Sequence, residues 1–386
     1  MRLLICPAAF SGSLTAVQAA EAMAQGWRAR STADQLTLAP LSCGGAGFLD
    51  VVNAALGGIT VGVTVPDPLG RPVPAAVLLV DAAGVRTAYV EAAQASGLHL
   101  LSATERDPTR TSTLGVGQLI DVALSEGSHR IIVGVGGSAT NDGGAGLLTA
   151  LGVGDPAELA WGGARLVGLP DPALADLPTL RRRLRDVELI VATESNAPLV
   201  GAAGPALSTA ANKGASPEQS RVLDQAMSRF ADLAGRYTPR TKDLFTGLDR
   251  RLELQPGAGA SGGLGYALML LGGRRRSVIE LVLEAWDFED LLSRHDLVLT
   301  GQGYLDWAAM HRGVVPGVAA AAGRHALATV VLAGEVHVGR RDVMALGVAG
   351  AYAVAETAQE RAEVAADPVG TLQARCTRLA VTWSMG

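Results

Sequence analysis

A short β-branched run that opens into a glycine-dense loop, residues 131–146, constrains the fold of this chain more than any other segment. Ile131, Ile132 and Val133 are typical of a buried strand, and the glycines after them allow backbone N–H groups to approach a ligand closely. An open α/β sheet builds an anion site in this way. The alternative is a strand-to-helix turn that needs glycine only for its geometry. The polar residues of the loop, placed where a helix is expected to begin, are Ser138, Thr140, Asn141 and Asp142.

Strand-like and helix-like segments alternate near both ends of the chain. A helix is expected to begin after Ser13 or Thr15 and to reach Trp27. Thr15 and Gln18 have the three-residue spacing of a capping box. Because a glycine-rich loop at 42–47 follows a strand, this pattern is typical of a doubly wound, mostly parallel, Rossmann-like sheet. Short apolar runs predict the strands of that sheet at 2–6, 36–41, 296–300 and 329–333.

The middle of the chain has a different pattern. Three β-branched runs separated by Asp-Pro-Leu-Gly and Asp-Ala-Ala-Gly turns predict antiparallel hairpins, at 60–65, 76–80 and 87–91. Helices are expected over 48–56 and 111–126, and strands over 131–135 and 187–192. Since 386 residues exceed the usual size of one core, we predict two α/β domains. The first is Rossmann-like and comprises 1–58 and 285–386, and the second is inserted over 59–284.

Charge and composition exclude several classes of protein. The formal net charge is −5, so the chain lacks the basic balance with which proteins bind nucleic acids or membrane surfaces. Cys6, Cys43 and Cys376 are widely spaced, and no histidine pair has metal-ligand spacing, so neither disulfides nor zinc are expected. Neither a signal peptide nor a membrane span is expected. The sequence predicts a cytoplasmic protein with a small-molecule substrate and leaves its oligomeric state open.

Two common nucleotide-binding motifs do not fit this sequence. A P-loop requires a glycine before its lysine and Ser or Thr after it, and neither Lys213 nor Lys242 has both. Gly257, Gly259 and Gly262 have the G-x-G-x-x-G spacing. However, glutamine and proline precede them where a strand should end, so a dinucleotide site is not expected.

Lysine is rare in this chain, because only Lys213 and Lys242 among the 32 basic residues are lysine. Lys213 lies in Ala-Asn-Lys-Gly-Ala, a loop-like context in which an ammonium group can meet an anion. Lys242 lies in a polar segment that is typical of solvated surface. We therefore expect Lys213 to be functional.

Seven motifs rich in glycine, proline and small residues lie along almost the whole chain. They are Pro7-x-x-Phe10-x-Gly12-Ser13, Gly44-Gly45-x-Gly47-x-Leu49-Asp50, 68–73, 136–146, Lys213-Gly214-Ala215, 256–265 and Thr300-Gly301-x-Gly303-x-x-Asp306. Their order and spacing resemble those of the bacterial glycerate kinase family. The run Gly-Gly-Ser-Ala-Thr-Asn-Asp-Gly-Gly at 136–144 is the most specific of them.

The resemblance implies ATP- and Mg²⁺-dependent phosphorylation of D-glycerate, on two α/β domains with the active site in the cleft between them. Lys213 would neutralise charge on the transferring phosphoryl group, and Asp142 or Asp306 would activate the glycerate hydroxyl or hold Mg²⁺. Backbone amides of 136–138 and 259–263 would bind anionic groups. The implied substrate- or nucleotide-binding residues are Ser13, Gly44, Gly45, Gly136, Gly137, Ser138, Thr140, Asn141, Gly259, Ser261, Gly262, Gly263, Gly301 and Gln302.

Some of these assignments leave alternatives open. Asp142 can instead cap a helix, and Asp306 can be a turn residue. The sequence does not decide whether the 2- or the 3-hydroxyl is phosphorylated, and it identifies no definite metal ligands.

The chain departs from the family pattern at several positions that carry polar or charged groups. These positions include Ala8, Ala9, Ser11, Cys43 and Gln302. Phosphoryl transfer depends on positioning and charge neutralisation, so such losses can lower the rate by orders of magnitude. One alternative is therefore a catalytically impaired relative that binds a small ligand or acts as a regulatory protein. Another is a kinase of a different hydroxy acid, favoured by Ala8, Ala9 and Phe48, which would make part of the site less charged.

Overall fold

The computed structural model describes residues 1–10, 12–239, 242, 247 and 249–384, and Ser11 lies outside them. The chain divides into two compact units. The first unit comprises Met1–Cys43, Asp50–Gly57 and Val278–Gly386, and the second comprises Gly44–Leu49 and Gly58–Ser277. The sequence-based boundaries were 58/59 and 284/285, and they left residues 44–49 in the first domain.

The described residues form the following regular elements. The strands are β1 (Arg2–Ile5), β2 (Gln35–Leu38), β3 (Ile59–Pro66), β4 (Pro72–Ala82), β5 (Val85–Glu91), β6 (Arg130–Gly134), β7 (Glu188–Ala192), β8 (Arg274–Arg276), β9 (Leu297–Leu305), β10 (Ala328–Val336) and β11 (Val348–Ala353). The helices are α1 (Ala16–Arg30), α2 (Phe48–Leu56), α3 (Ala93–Ser96), α4 (Leu114–Ser125), α5 (Ala145–Ala150), α6 (Pro156–Leu159), α7 (Leu177–Arg183), α8 (Pro205–Ser208), α9 (Pro217–Tyr237), α10 (Ala260–Leu270), α11 (Val278–Ala285), α12 (Phe288–Ser293), α13 (Val314–Arg324), α14 (Arg340–Ala345), α15 (Ala358–Ala366) and α16 (Pro368–Trp383). Each helix within this part of the chain is too short or too polar to cross a membrane.

The first unit contains a five-stranded sheet in the order β11-β10-β9-β1-β2, and every pair of neighbouring strands is parallel. The apolar side chains of β1 and β9 are buried, as expected for parallel strands covered by helices on both faces. The chain extends the sheet outward from β1 to β2 and, in the other direction, from β9 to β11. The order therefore reverses between β1 and β9, which confirms the predicted doubly wound arrangement.

Helix α1 begins as its sequence predicts. Thr15 Oγ1 accepts a hydrogen bond from Gln18 N at 3.2 Å, and Gln18 Oε1 accepts one from Thr15 N at 3.0 Å. This is the predicted capping box. The Ser13 hydroxyl instead donates to the Phe10 carbonyl at 3.0 Å, so Thr15 is the cap. The helix continues past the buried Trp27 to Arg30.

Strand β9 is longer than the sequence analysis predicted. The predicted strand ended at residue 300, but β9 pairs with β10 as far as Leu305. A Cβ atom on Gly301 would lie 2.0 Å from the Leu332 carbonyl oxygen. Glycine at this position therefore permits close approach of the neighbouring strand, and it does not mark a loop.

The second unit contains a six-stranded sheet in the order β3-β4-β5-β6-β7-β8. Strands β3, β4 and β5 form the predicted antiparallel hairpins, and β5 to β8 are parallel. Helices α4, α5, α9 and α10 supply much of its apolar core. The carboxyl ends of β5, β6 and β7 lie at one edge of this sheet, where open α/β sheets place their ligand sites.

Candidate functional site

The loop after β6 gathers several of the predicted residues in the second unit. A Cβ atom on Gly136 would lie 3.0 Å from the Gly45 nitrogen, so the segment at Gly44 and Gly45 runs directly beside Gly136. Gly137 has a left-handed φ of +65°, and its carbonyl accepts a hydrogen bond from Leu98 N at 2.8 Å. The structure therefore brings two of the predicted glycine loops together.

Two hydroxyl groups shape the middle of this loop. Ser138 Oγ accepts a hydrogen bond from Thr140 N at 3.1 Å and lies 3.0 Å from Thr140 Oγ1. Both residues are buried. They stabilise the turn that presents the next residues of the loop, Asn141 and Asp142.

Lys213 connects the loop to a segment distant from it in the sequence. It ends a short 3₁₀ turn, Ala210–Lys213, and only 8% of its surface is exposed. Its ammonium group donates to the Thr140 carbonyl at 2.7 Å and to Asn141 Oδ1 at 2.8 Å. Burial lowers the pKa of Lys213 to about 7, against the opposing effect of the Asp142 charge. Near pH 7 the charged and neutral forms of this group are therefore similar in free energy.

The amide nitrogen of Asn141 has an unusual environment. Asn141 Nδ2 is buried, and no partner for it exists among the described residues. A buried donor without a partner costs about 1–3 kcal/mol. An oxygen atom of a bound anion would remove this cost, so the amide is a candidate ligand contact beside the Lys213 ammonium.

Asp142 is fully buried and its carboxylate is saturated with hydrogen bonds. Thr113 donates its backbone N and its hydroxyl to Oδ2, both at 2.8 Å. Gly144 N donates to Oδ1 at 3.1 Å and Gly146 N donates to Oδ2 at 3.2 Å, at the start of α5. Burial raises the pKa of Asp142, although these donors oppose the shift. This geometry favours the capping alternative, since donors of the protein occupy both carboxylate oxygens and the residue is fully buried.

A second glycine-rich segment, 259–263, packs on the loop. Ser261, Gly262 and Gly263 all have left-handed backbone conformations at the start of α10. Such a conformation is rare for serine and is found at functional positions. Gly143 N donates to the Gly262 carbonyl at 3.0 Å, so the two predicted segments are in direct contact. Gly259 N donates to the Ala197 carbonyl at 2.9 Å.

Replacing Gly262 with alanine tests this contact. A Cβ atom there would lie 1.8 Å from the Thr140 carbonyl oxygen, the same atom that accepts from Lys213. We expect Gly262→Ala to lower the free energy of unfolding by about 2–4 kcal/mol, from backbone strain plus overpacking. The matched control is Gly201→Ala, because Gly201 also has positive φ but has no atom within 4 Å of its Cβ position. Equal losses in both variants, measured by urea unfolding, would contradict the close packing.

The remaining predicted residues lie in the first unit. Asp306 follows β9, is exposed, and accepts a hydrogen bond from Ala309 N at 2.8 Å through Oδ1. Gln302 Nε2 donates to the Tyr304 carbonyl at 2.7 Å. The Gly301 carbonyl accepts from Ala8 N at 2.7 Å, across the point where the strand order reverses. The Asp306 carboxylate thus stabilises a turn and remains exposed to solvent.

Sequence reasoning missed two residues near the loop. Glu91 ends β5, is buried, and accepts a hydrogen bond from Leu49 N at 3.1 Å at the start of α2. Its position at the carboxyl end of a predicted strand was the available signal. Thr113, which holds Asp142, had no comparable signal. Phe48 is completely buried and its ring centroid lies 6.3 Å from that of Tyr89, so it does not make a binding surface less charged.

Metal binding by side chains alone has no support in the described ranges. Within them, no group of three or more His, Cys, Asp or Glu side chains could hold a metal ion. Mg²⁺ in phosphoryl-transfer enzymes needs only one or two carboxylates, because phosphate oxygens and water complete its shell. The exposed carboxylate of Asp306 fits that requirement.

The fold and these loops together define a class. The chain is an α/β protein with two units, and polar glycine-rich loops lie at the carboxyl ends of parallel strands, where proteins of this class bind small anions. The sequence profile described as "Glycerate kinase family" matches residues 3–384. The chain belongs to the glycerate kinase family, which confirms the resemblance seen in its motifs.

Individual relatives agree with this assignment. A glycerate kinase of Bacillus subtilis (strain 168) is 38% identical over 341 residues, which are 87% of this chain and 85% of the relative. A glycerate 2-kinase of Escherichia coli (strain K12) is 36% identical over 341 residues, covering 87% and 86%. A crystal structure from Salmonella typhimurium LT2, named as a glycerate kinase 2, is similar with a TM-score of 0.75 and 34% identity, covering 99% of this chain and 98% of its own.

Proposed function

We propose that this protein transfers the γ-phosphoryl group of ATP to a hydroxyl of D-glycerate, releasing ADP and phosphoglycerate. Membership of the family supports the reaction. The observation that carries the proposal is the pairing of the buried Lys213 ammonium with Asn141, whose amide nitrogen is without a partner in the described part of the chain. A cation and an unused donor side by side form a site for an anionic oxygen.

Each group of the second-unit loop has a role in this proposal. The ammonium of Lys213 offsets the negative charge that spreads over the phosphoryl oxygens as the bond to the leaving ADP breaks. Backbone N–H groups of 136–138 bind further oxygens, and so do those of Ser261 and Gly262 within 259–263, since left-handed residues in both segments turn these groups away from regular structure. These donors are fixed in advance, which is how electrostatic stabilisation becomes effective.

The two aspartates differ in role. Asp142 is a positioning residue, because its carboxylate holds Thr113 and the first turn of α5 and thereby fixes the loop. Asp306 is exposed, so its carboxylate is the one of the two that can accept the proton of the attacking glycerate hydroxyl. Asp306 would also hold Mg²⁺, which neutralises phosphate charge when it is bound.

The test is ADP release by the purified protein with ATP, Mg²⁺ and D-glycerate, compared with the same mixture lacking D-glycerate. We expect glycerate-dependent turnover. Phosphorus NMR of the product then distinguishes 2-phosphoglycerate from 3-phosphoglycerate. ADP release that does not depend on D-glycerate but responds to another hydroxy acid would contradict the substrate assignment.

Absence of turnover with every hydroxy acid, while the protein is folded, would contradict the proposal as a whole. That outcome would favour the alternative that the protein is a catalytically impaired relative that binds a small ligand. Neither the geometry of the described residues nor the comparison with relatives favours that alternative.

A further inference from the structure

The second unit contains a pocket that none of the predicted site residues lines, although part of the 68–73 motif contributes to its wall. Its volume is about 310 Å³. Its walls come from the turn between β3 and β4 at 66–70, from the segment before α4 at 110–114, and from the segment after α6 at 160–165. We call it the Trp161 pocket after the aromatic residue in its wall.

The three walls are tied to one another by backbone hydrogen bonds. Ser112 N donates to the Pro68 carbonyl at 2.9 Å, and Ala164 N donates to the Thr109 carbonyl at 3.2 Å. Gly162, with φ of +92°, packs so closely that a Cβ atom would lie 2.5 Å from the Arg110 Cα atom. The pocket is therefore held open by fixed backbone segments, and its binding of a ligand carries little ordering cost.

The charges that line the pocket are positive and largely unused. Arg110 makes no side-chain hydrogen bond or ion pair with any residue that the structure describes, and it is exposed. Arg165 has one long hydrogen bond, 3.3 Å, to the Ala157 carbonyl. The carboxylate in the wall, Asp67, is already paired with Arg71 at 2.6 Å. Two guanidinium groups thus remain for an external anion.

Several other arginines of the same unit are paired with carboxylates. Examples are Arg86 with Asp81, Arg130 with Glu188, and Arg183 with Asp121.

The rest of the wall is apolar. Trp161 is 53% exposed, and Leu69 and Pro68 lie in the same pocket. An exposed indole provides a flat face on which a planar or apolar group can lie. A volume of about 310 Å³ is near the lower end of the range for ligand pockets, so the occupant is a small molecule.

We propose that the Trp161 pocket is a second binding site, which takes a small organic anion with a carboxylate or phosphate group and a planar or apolar body. Arg110 and Arg165 bind the anionic group, and Trp161 covers the body. Carboxylate and phosphate both match the forked geometry of guanidinium. None of the residues assigned to phosphoryl transfer lines this pocket.

Calorimetric titration with phenyl phosphate and with benzoate tests the site without any need for catalytic turnover. We expect saturable binding of at least one of the two, accompanied by a change in tryptophan fluorescence that is lost in Trp161→Phe. The double variant Arg110→Ala/Arg165→Ala should bind about tenfold or more weakly. Arg185→Ala is the matched control, because Arg185 is exposed and pairs only with its neighbour Asp186 among the described residues.

Three results would overturn the proposal. The first is no saturable binding of either probe at millimolar concentration by the folded protein. The second is equal affinity in the double variant and the Arg185→Ala control. The third is displacement of the bound probe by ATP-Mg²⁺ or D-glycerate, which would place the pocket within the substrate site. Since binding is measured directly, failure here is distinguishable from a lack of kinase activity.

Discussion

Replacement of Lys213 by methionine is expected to lower the kcat of glycerate-dependent ADP release by about 10²–10³-fold. Methionine keeps much of the apolar stem but removes the ammonium that contacts the Thr140 carbonyl and Asn141 Oδ1. The matched control is Lys242→Met, at the other lysine of the chain, which is exposed. Steady-state kinetics together with thermal unfolding measure the effect. Equal kcat in the two variants would contradict a role for Lys213 in the reaction.

The dependence of activity on pH gives a second readout of the same residue. Because the pKa of Lys213 is lowered to about 7 in the folded protein, its ammonium form is lost as the pH rises through this value. We therefore expect kcat/KM to fall on the alkaline side with an apparent pKa near 7. Lys213→Arg should flatten this limb, since guanidinium stays charged. An unchanged pH profile in Lys213→Arg would assign the limb to another group.

The same shift affects stability with a defined sign. Between about pH 7 and the ordinary lysine value of 10.5, the unfolded chain binds more protons at this position than the folded protein does. The contribution of Lys213 to the free energy of unfolding therefore rises with pH across that range. Lys213→Met should remove this part of the pH dependence, measured by urea unfolding at pH 6 and pH 9.

Replacement of Asp142 by alanine is expected to lower the free energy of unfolding by about 3–5 kcal/mol. The change leaves the backbone N–H groups of Thr113, Gly144 and Gly146 buried without their acceptor. Asp142→Asn should have a smaller effect, because its amide oxygen can still accept from Thr113. Urea unfolding followed by circular dichroism measures both changes.

The control for Asp142 is Asp186→Ala, since the Asp186 side chain is 84% exposed and its partner Arg185 is exposed as well. Surface changes of this kind alter stability by about 0.5 kcal/mol or less. A loss of activity in Asp142→Asn without a loss of stability would show that the carboxylate acts in the chemistry and is not only a cap.

Local sequence patterns predicted most strands of the described residues but only a few of the helices. The hairpins of β3 to β5 follow from β-branched runs between strong turn sequences, and the capping box of Thr15 and Gln18 begins α1 as expected. The extension of β9 beyond residue 300 was not predicted. The reason for glycine at 301 is the Leu332 carbonyl of another strand, which no local pattern reveals.

The candidate site could be predicted in its location but not in its contacts. The rarity of lysine predicted that Lys213 is functional, and the glycine-rich motif predicted a ligand-binding loop at residues 136–144. Thr140 and Lys213 are 73 residues apart in the sequence, so their contact forms only when the chain folds. The choice between capping and catalysis for Asp142 likewise depended on Thr113, 29 residues earlier. Such long-range pairs leave no periodic signal in one sequence.

The pairing of β1 with β9 has a consequence for synthesis on the ribosome. Arg2 and Asp296, at the start of this pairing, are 294 residues apart. At roughly 5–20 residues per second, β1 and β2 wait about 15–60 s before their central partner is made. The second unit can complete its sheet during that interval, whereas the early strands keep an unpaired edge. Nascent chains of this protein should therefore depend on chaperone protection of their first 40 residues.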